Sequence, residues 1–238
     1  MKNLQKLGGL AALIEALTFI FGFTLFFTLI ASANYASLEL DPLQNAAFLA
    51  ENQGIMYLWN FVIYIVFGIV LVFLTLALHE RFKVAAPGLS QAAAVFGFIW
   101  SGLVIASGMV ANIGATVITQ IYEKDPVQAG SSWLSLHFVT DGLGGGNEIV
   151  GGIWVLLLSM AALKTHTLPR LLSTFGLVVS LAGIFSMIPA LGEVGGAIFG
   201  LGLIVWFIYL GIVMLVSDPL KAVEKAARFE GNRTTRAI

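Results

Sequence analysis

Six stretches of about twenty residues are almost free of charge, and nothing constrains the fold more than they do. They cover residues 10–31, 55–78, 92–112, 141–163, 171–190 and 197–217. A helix rising about 1.5 Å per residue needs about 20 mostly apolar residues to cross a hydrocarbon layer of roughly 30 Å. Strands of a membrane barrel would be shorter and would alternate apolar with polar residues, which these do not. Of the 238 residues, 58% are hydrophobic and 11% charged. Soluble domains carry about 25% charged residues, so too few are left here to keep a soluble surface dispersed. The expected fold is an all-α, polytopic membrane helix bundle of six transmembrane helices, one domain over residues 1–217. The third span has room to run on toward Tyr122, and the fourth to begin near Trp133.

Charge and composition exclude several functions. The net charge is −1, with no basic excess, which excludes nucleic acid as a partner. The absence of cysteine removes thiolate metal sites and thiol nucleophiles. No Walker loop, zincin helix, nucleophile elbow or dinucleotide fingerprint is present, so no cofactor is expected and the balance leans away from an enzyme.

Orientation follows from Lys and Arg. With six spans, Lys2, Lys6, Arg81, Lys83, Lys164, Arg170 and the five basic residues from Lys221 to Arg236 share one side, and Lys124 stands alone on the other. The positive-inside rule then makes both termini cytoplasmic. Lys2 and Lys6 ahead of an apolar run, with Ala31-Ser32-Ala33 after it, imitate a signal peptide. The run is longer than the usual 7–15 residues and Glu15 interrupts it, so the first helix is expected to be retained.

Between the first two spans, Asp41-Pro42 followed by Gln44 reads as an N-cap, a proline at the first helical position and a capping box. The helix would run to about Asn52, with Gly54 past its end. Leu43, Ala47 and Ala50 recur at helical spacing, as in an amphipathic helix at the outer membrane surface or a solvated loop helix. Asp218-Pro219 repeats the signal after the last span. Leu220, Val223 and Ala227 form one stripe, and Lys221, Lys225 and Arg228 another. Residues 218–238 are therefore expected to form a cytoplasmic amphipathic helix and a mobile tail.

Polar residues at membrane depth are costly and mark candidate sites. The fourth span holds the densest set: His137, Asp141, Asn147 and Glu148. On a continuous helix His137, Asp141 and Glu148 share one face, and Glu148 lies roughly 10 Å below Asp141. Asn60 and Asn112 fall at similar depth. Together these six define an expected outer-half pocket for a ligand or ion. Plainer readings stand beside it. His137 and Asp141 are also an ordinary i,i+4 interfacial pair, Asn60 and Asn112 interhelical hydrogen bonders, and Glu148 structural glue. Gly142–Gly146 suits tight packing or a helix break. Trp59, Trp133 and Tyr57 read as interfacial anchors. Glu15 lies at the wrong depth to join the pocket and reads as snorkelling or paired with Lys6. With one histidine at the pocket, no metal site is expected.

From Asn147 to Leu215 the run NEIVGGIWVLLLSMAAL, KTHTLPRLLSTFGLVVSLAGIFSMIPAL and FGLGLIVWFIYLGIVML resembles an uncharacterised bacterial integral-membrane family, domain-of-unknown-function family 4386. Gly8-Gly9 early in the first span, a helical loop before span two, Gly152-Ile153-Trp154, Leu168-Pro169 and Gly176 carry the resemblance. It implies a multi-pass protein of the bacterial inner membrane and supplies no catalytic residues. Three functions compete. The first is a small bundle that binds or translocates a small polar solute, ion or proton through the pocket, with Glu148 and Asp141 bearing the charge. The second is an accessory or sensory subunit that docks through the Gly196-xxx-Gly200 face. The third is an intramembrane enzyme with His137 and Asp141 as a general-base pair. Six helices are few for a transporter, which points to a homodimer or to another membrane subunit as partner, within the lipid bilayer.

Overall fold

The computed structural model describes residues 2–35, 41–145 and 148–217, and these are helical, with no strand among them. In chain order the helices are α1 Lys2–Leu25, α2 Pro42–Glu51, α3 Gln53–Asn60, α4 Phe67–Phe82 and α5 Pro87–Tyr122. They continue with α6 Pro126–Thr140, α7 Ile149–Thr165, α8 Arg170–Phe185 and α9 Gly192–Val216. Two π-helical turns, Phe26–Ile30 and Phe61–Val66, extend α1 and join α3 to α4, and a wide turn over Asp141–Gly145, interrupted by the non-helical Gly144, follows α6. Asn147 and residues 218–238 lie outside the described residues, as do the amphipathic helix and tail expected there.

Five helical runs are long and apolar enough to cross a bilayer: Asn3–Ile30, Gln53–Phe82, Pro87–Tyr122, Pro126–Thr165 and Pro189–Val216. The polytopic all-α bundle is thus borne out, and the third span does reach Tyr122. Two spans differ from expectation. The fifth is the 16-residue α8, about 24 Å at helical rise and short of a full crossing. Its end is set at Ser186, whose hydroxyl donates to the Gly183 carbonyl at 2.7 Å. Ile188 is extended ahead of Pro189, as the proline ring requires. The fourth span starts early, at Pro126. There Asp125 caps α6 by accepting the Gln128 amide at 3.0 Å, with Pro126 in the first turn. It is also broken. Gly144 sits at φ +133°, a conformation closed to L side chains, and α7 starts afresh with Glu148 as its N-cap. His137, Asp141 and Glu148 therefore do not share the face of one continuous helix.

The described residues form two compact units. The first gathers those of Met1–Leu17, Val70–Ser101 and Asn147–Ile238; the second gathers those of Thr18–Ile69 and Gly102–Gly146. In the first unit α7 packs on α8 and α8 on α9. Trp154 is fully buried at the centre, 5.7 Å from the Trp100 ring and 5.8 Å from Trp206 in an edge contact. Bulky indoles fit because glycines bring the backbones close. A Cβ on Gly152 would lie 2.8 Å from the Ile184 amide nitrogen and 2.9 Å from the Ser180 carbonyl. One end of the unit is tied by Arg81. Its guanidinium donates to the Thr167 carbonyl at 2.7 Å and to Ser217 Oγ at 3.2 Å. Gln5 adds a bond to the Met214 carbonyl at 3.3 Å.

Arg81 is thus buried at the end of α4 and is not a solvated loop cation. Glu15 is fully buried, so it does not snorkel. Gly200 is buried within the first unit, which removes the Gly196-xxx-Gly200 docking face.

In the second unit α2 packs on α6 around Ile30, Ala46, Leu49, Met56 and Trp133. Asp41 caps α2 through the Leu43 amide at 2.9 Å, as its sequence requires. The buried face is Asn45, Ala46 and Leu49, not the Leu43–Ala47–Ala50 stripe. With α6 as its packing partner, α2 buries the stripe that complements a protein surface, so it is not a free amphipathic helix.

Gly152→Ala is expected to force α7 and α8 apart and to destabilise the solubilised protein by about 1–3 kcal/mol, the usual range for overpacking. Gly102→Ala meets open space and should be neutral or stabilising by up to about 1 kcal/mol. Thermal melts followed by circular dichroism compare the two. Equal melting points would remove the close-approach argument.

Candidate functional site

The second unit encloses a cavity of about 250 Å³. Its polar lining comes from Tyr35, Asn60, Tyr64, His137, Thr140 and Asp141, and its apolar lining is dominated by Phe26, Trp59, Trp133, Met56 and Leu136. On α6 and the turn after it, Trp133, His137 and Asp141 follow one another at i,i+4 spacing and so form one stripe. The Trp133 ring stacks on His137 at 4.9 Å and 14°. His137 Nε2 lies 3.4 Å from Asp141 Oδ2. The Trp133 indole donates to the Tyr35 hydroxyl at 3.1 Å, so a continuous string runs from phenol through indole and imidazole to carboxylate.

Both π-helical turns and the broken turn after α6 reach this cavity: Phe26 and Ile30 come from the first, Tyr64 from the second, and Asp141 from the third. Such turns insert a residue, shift the amide partners from i−4 to i−5 and recur at functional sites. The Ala31 amide accordingly donates to the Phe26 carbonyl at 2.8 Å, and the Phe67 amide reaches the Val62 carbonyl. The carbonyl four residues ahead of each turn takes a side-chain donor. Trp59 Nε1 donates to Gly22 at 3.2 Å, Asn112 Nδ2 to Tyr57 at 3.3 Å, and Thr140 Oγ1 to His137 at 2.9 Å. Ser107 Oγ adds a bond to the Thr140 carbonyl at 3.0 Å. The Tyr57 and His137 carbonyls also keep their own amide partners, Phe61 and Asp141, so there the side-chain bonds are added to those of the helix.

Of the six expected site residues, His137, Asp141 and Asn60 line the cavity. Asn112 is buried in the same unit but does not line the cavity, and its amide nitrogen donates to the Tyr57 carbonyl. Glu148 belongs to the first unit, where its amide donates to Ser186 Oγ at 3.3 Å. Asn147 lies outside the described residues. Sequence reasoning missed Tyr35 and Tyr64, and it read Trp133 and Trp59 as interfacial anchors. Trp133 is only 2% exposed. The Trp133–His137–Asp141 spacing was the available signal. Among the described residues no three His, Asp or Glu side chains gather in a metal-sized group.

Tyr35 follows the first apolar run and is held by the cavity wall. Burial pushes its phenol up to about 12. The Trp133 N–H opposes the shift, and the Asp141 charge adds to it. The folded state holds this proton more tightly than the unfolded chain, where tyrosine titrates near 10. The Tyr35 contribution to stability is therefore complete below about pH 10 and is lost as pH rises toward 12. A phenolate absorbance titration should show a late step that Tyr35→Phe abolishes. The same change leaves the Trp133 N–H without its acceptor, at a cost of about 1–3 kcal/mol. A titration curve unaltered by Tyr35→Phe would contradict this account of the phenol.

Over residues 7–216 the chain matches the model of a family described as a domain of unknown function, DUF4386. No curated protein and no solved structure matches it. With nearly its whole length covered, this membrane protein belongs to the DUF4386 family.

Proposed function

We propose that this protein binds a small polar solute, ion or proton in the cavity of its second unit and passes it across the membrane. Asp141 carries the charge that meets the ligand, and His137 is the partner that shares it. The observation that carries the reading is the convergence on one cavity of two π-helical turns and the turn that breaks at Gly144. An apolar and aromatic hollow with a few convergent polar groups is the usual form of a small-ligand site. Asp141→Asn keeps the shape and removes the charge. It should weaken ligand retention in native mass spectrometry, and flux in liposomes, by roughly 10- to 100-fold, the worth of one charge-assisted bond. Retention and flux equal to those of the parent, with helix content unchanged, would reject the role of Asp141.

The reading includes a single transmembrane domain over residues 1–217 in the bacterial inner membrane, with the short α8 as its sixth crossing where the bilayer thins to match it. The termini lie on the cytoplasmic side, where the basic residues concentrate. It is supported by the bonds of Arg81 and Gln5, which link the N-terminal end of α1, the end of α4, the α7–α8 loop and the end of α9. An alkaline phosphatase fused after Ile238 is active only outside the cytoplasm and should be silent. Strong activity would reverse the orientation.

A further inference from the structure

We propose that the ligand of this cavity is a small organic cation, an ammonium group bearing alkyl or aryl substituents; the inference rests on the binding role given to the cavity above. The lining carries one carboxylate, Asp141, and no lysine or arginine. An anion would meet the Asp141 carboxylate with only the His137 imidazole in the wall able to offset charge, and burying a poorly compensated charge is costly. A cation is the ligand that this wall compensates. The Asp141 side chain keeps 41% of its surface accessible, against 16% for His137, so the acceptor and not the imidazole presents the more open polar surface.

Aromatic rings narrow the class. Phe26, Tyr35, Trp59, Tyr64 and Trp133 line the cavity from separate stretches of the chain. Ring faces attract a cation held within about 6 Å, most strongly where water is excluded. Both indole N–H groups are already committed, Trp59 to the Gly22 carbonyl and Trp133 to the Tyr35 hydroxyl. Those rings therefore offer a ligand π surface and not hydrogen bonds. The Thr140 hydroxyl is likewise committed, to the His137 carbonyl. A sugar-like neutral solute would find few donors left, and burying its hydroxyls unpaired is unfavourable. A bare alkali or alkaline-earth ion needs six or more oxygen ligands, and Asp141 is the one carboxylate of this wall. An alkylated or aryl ammonium has the charge for Asp141 and the apolar bulk for the rings.

The test uses the full chain in nanodiscs, with quenching of its tryptophan fluorescence as the readout. Choline and benzyltrimethylammonium are titrated beside the uncharged isostere 3,3-dimethylbutan-1-ol and the anion trimethylacetate. Saturable quenching by the two cations, at least tenfold tighter than by the isostere or the anion, is the expected result. Asp141→Asn should remove that preference. Trp59→Phe and Trp59→Leu both lose the bond to Gly22, so their difference isolates the ring: Phe should retain cation binding and Leu should weaken it at least tenfold. Should neither Trp59 variant fold, Asp141→Asn and the isostere comparison still decide. Equal or tighter binding of the isostere or the anion would overturn the cation assignment and leave the binding role standing. If no probe binds and native mass spectrometry finds no retained ligand, the cation assignment and the binding role both fail.

Discussion

Inside a bilayer no water is available to a backbone N–H or C=O, and every departure from a regular helix must be made good by the protein itself. The chain departs in two π-helical turns and in the turn that breaks at Gly144, and polar side chains gather beside all three. Trp59, Asn112, Ser107 and Thr140 all donate to main-chain carbonyls beside those turns. Several buried polar residues that look like ligands in a sequence are therefore part of the backbone's own hydrogen bonding. Asn112 is the clearest case. Its amide nitrogen donates to the Tyr57 carbonyl, beside the turn that carries Tyr64, and its side chain does not line the cavity.

That exchange explains what could be read in the sequence and what could not. Hydrophobic length alone gives the helices, because a dry solvent permits little else. Local chemistry gives the start of α2, since Asp41-Pro42 satisfies an amide before any tertiary contact forms. The Asp125-Pro126 start carried the same signal but was passed over, and the fourth span was begun too late in consequence. The break after Asp141 was visible only as a glycine run, which equally suits close packing. Helical-wheel reasoning across it placed Glu148 with His137 and Asp141. The structure brings His137, Asp141 and Asn60 to one cavity and leaves Glu148 in the other unit. Arg81 illustrates a different limit. A lone arginine near the end of an apolar run reads as a solvated loop charge, because its partners at Thr167 and Ser217 are far away in sequence.

The two units use polar and small residues for different ends. In the first, Gly97, Gly151 and Gly176 make room for Trp154, Trp100 and Trp206, and rigid rings fill the space the glycines leave. Lipid tails are as apolar as a leucine side chain, so burial gives no drive for helices to associate there. Close van der Waals contact must supply it, and small residues beside large flat ones maximise that contact. In the second unit, rings meet across a cavity that they do not fill.

This division bears on what family membership implies for this chain. Gly8-Gly9, Gly152-Ile153-Trp154, Leu168-Pro169 and Gly176 all fall in the first unit. Each has a packing task there. Gly8 and Gly9 let α1 lie against Ala77, Met214 and Leu215, Pro169 caps α8, and Gly176 accepts Ser159 and Trp206. Those motifs thus account for the scaffold of the first unit. The helical loop before span two is α2, in the second unit, where Leu49 lines the cavity, and the family match runs through both units. Tyr35, Tyr64, Trp133, His137 and Asp141 line the same cavity and stand outside these motifs. The ligand of this protein must therefore be argued from the chemistry of its own cavity, where one carboxylate stands among aromatic faces whose N–H groups are already bound.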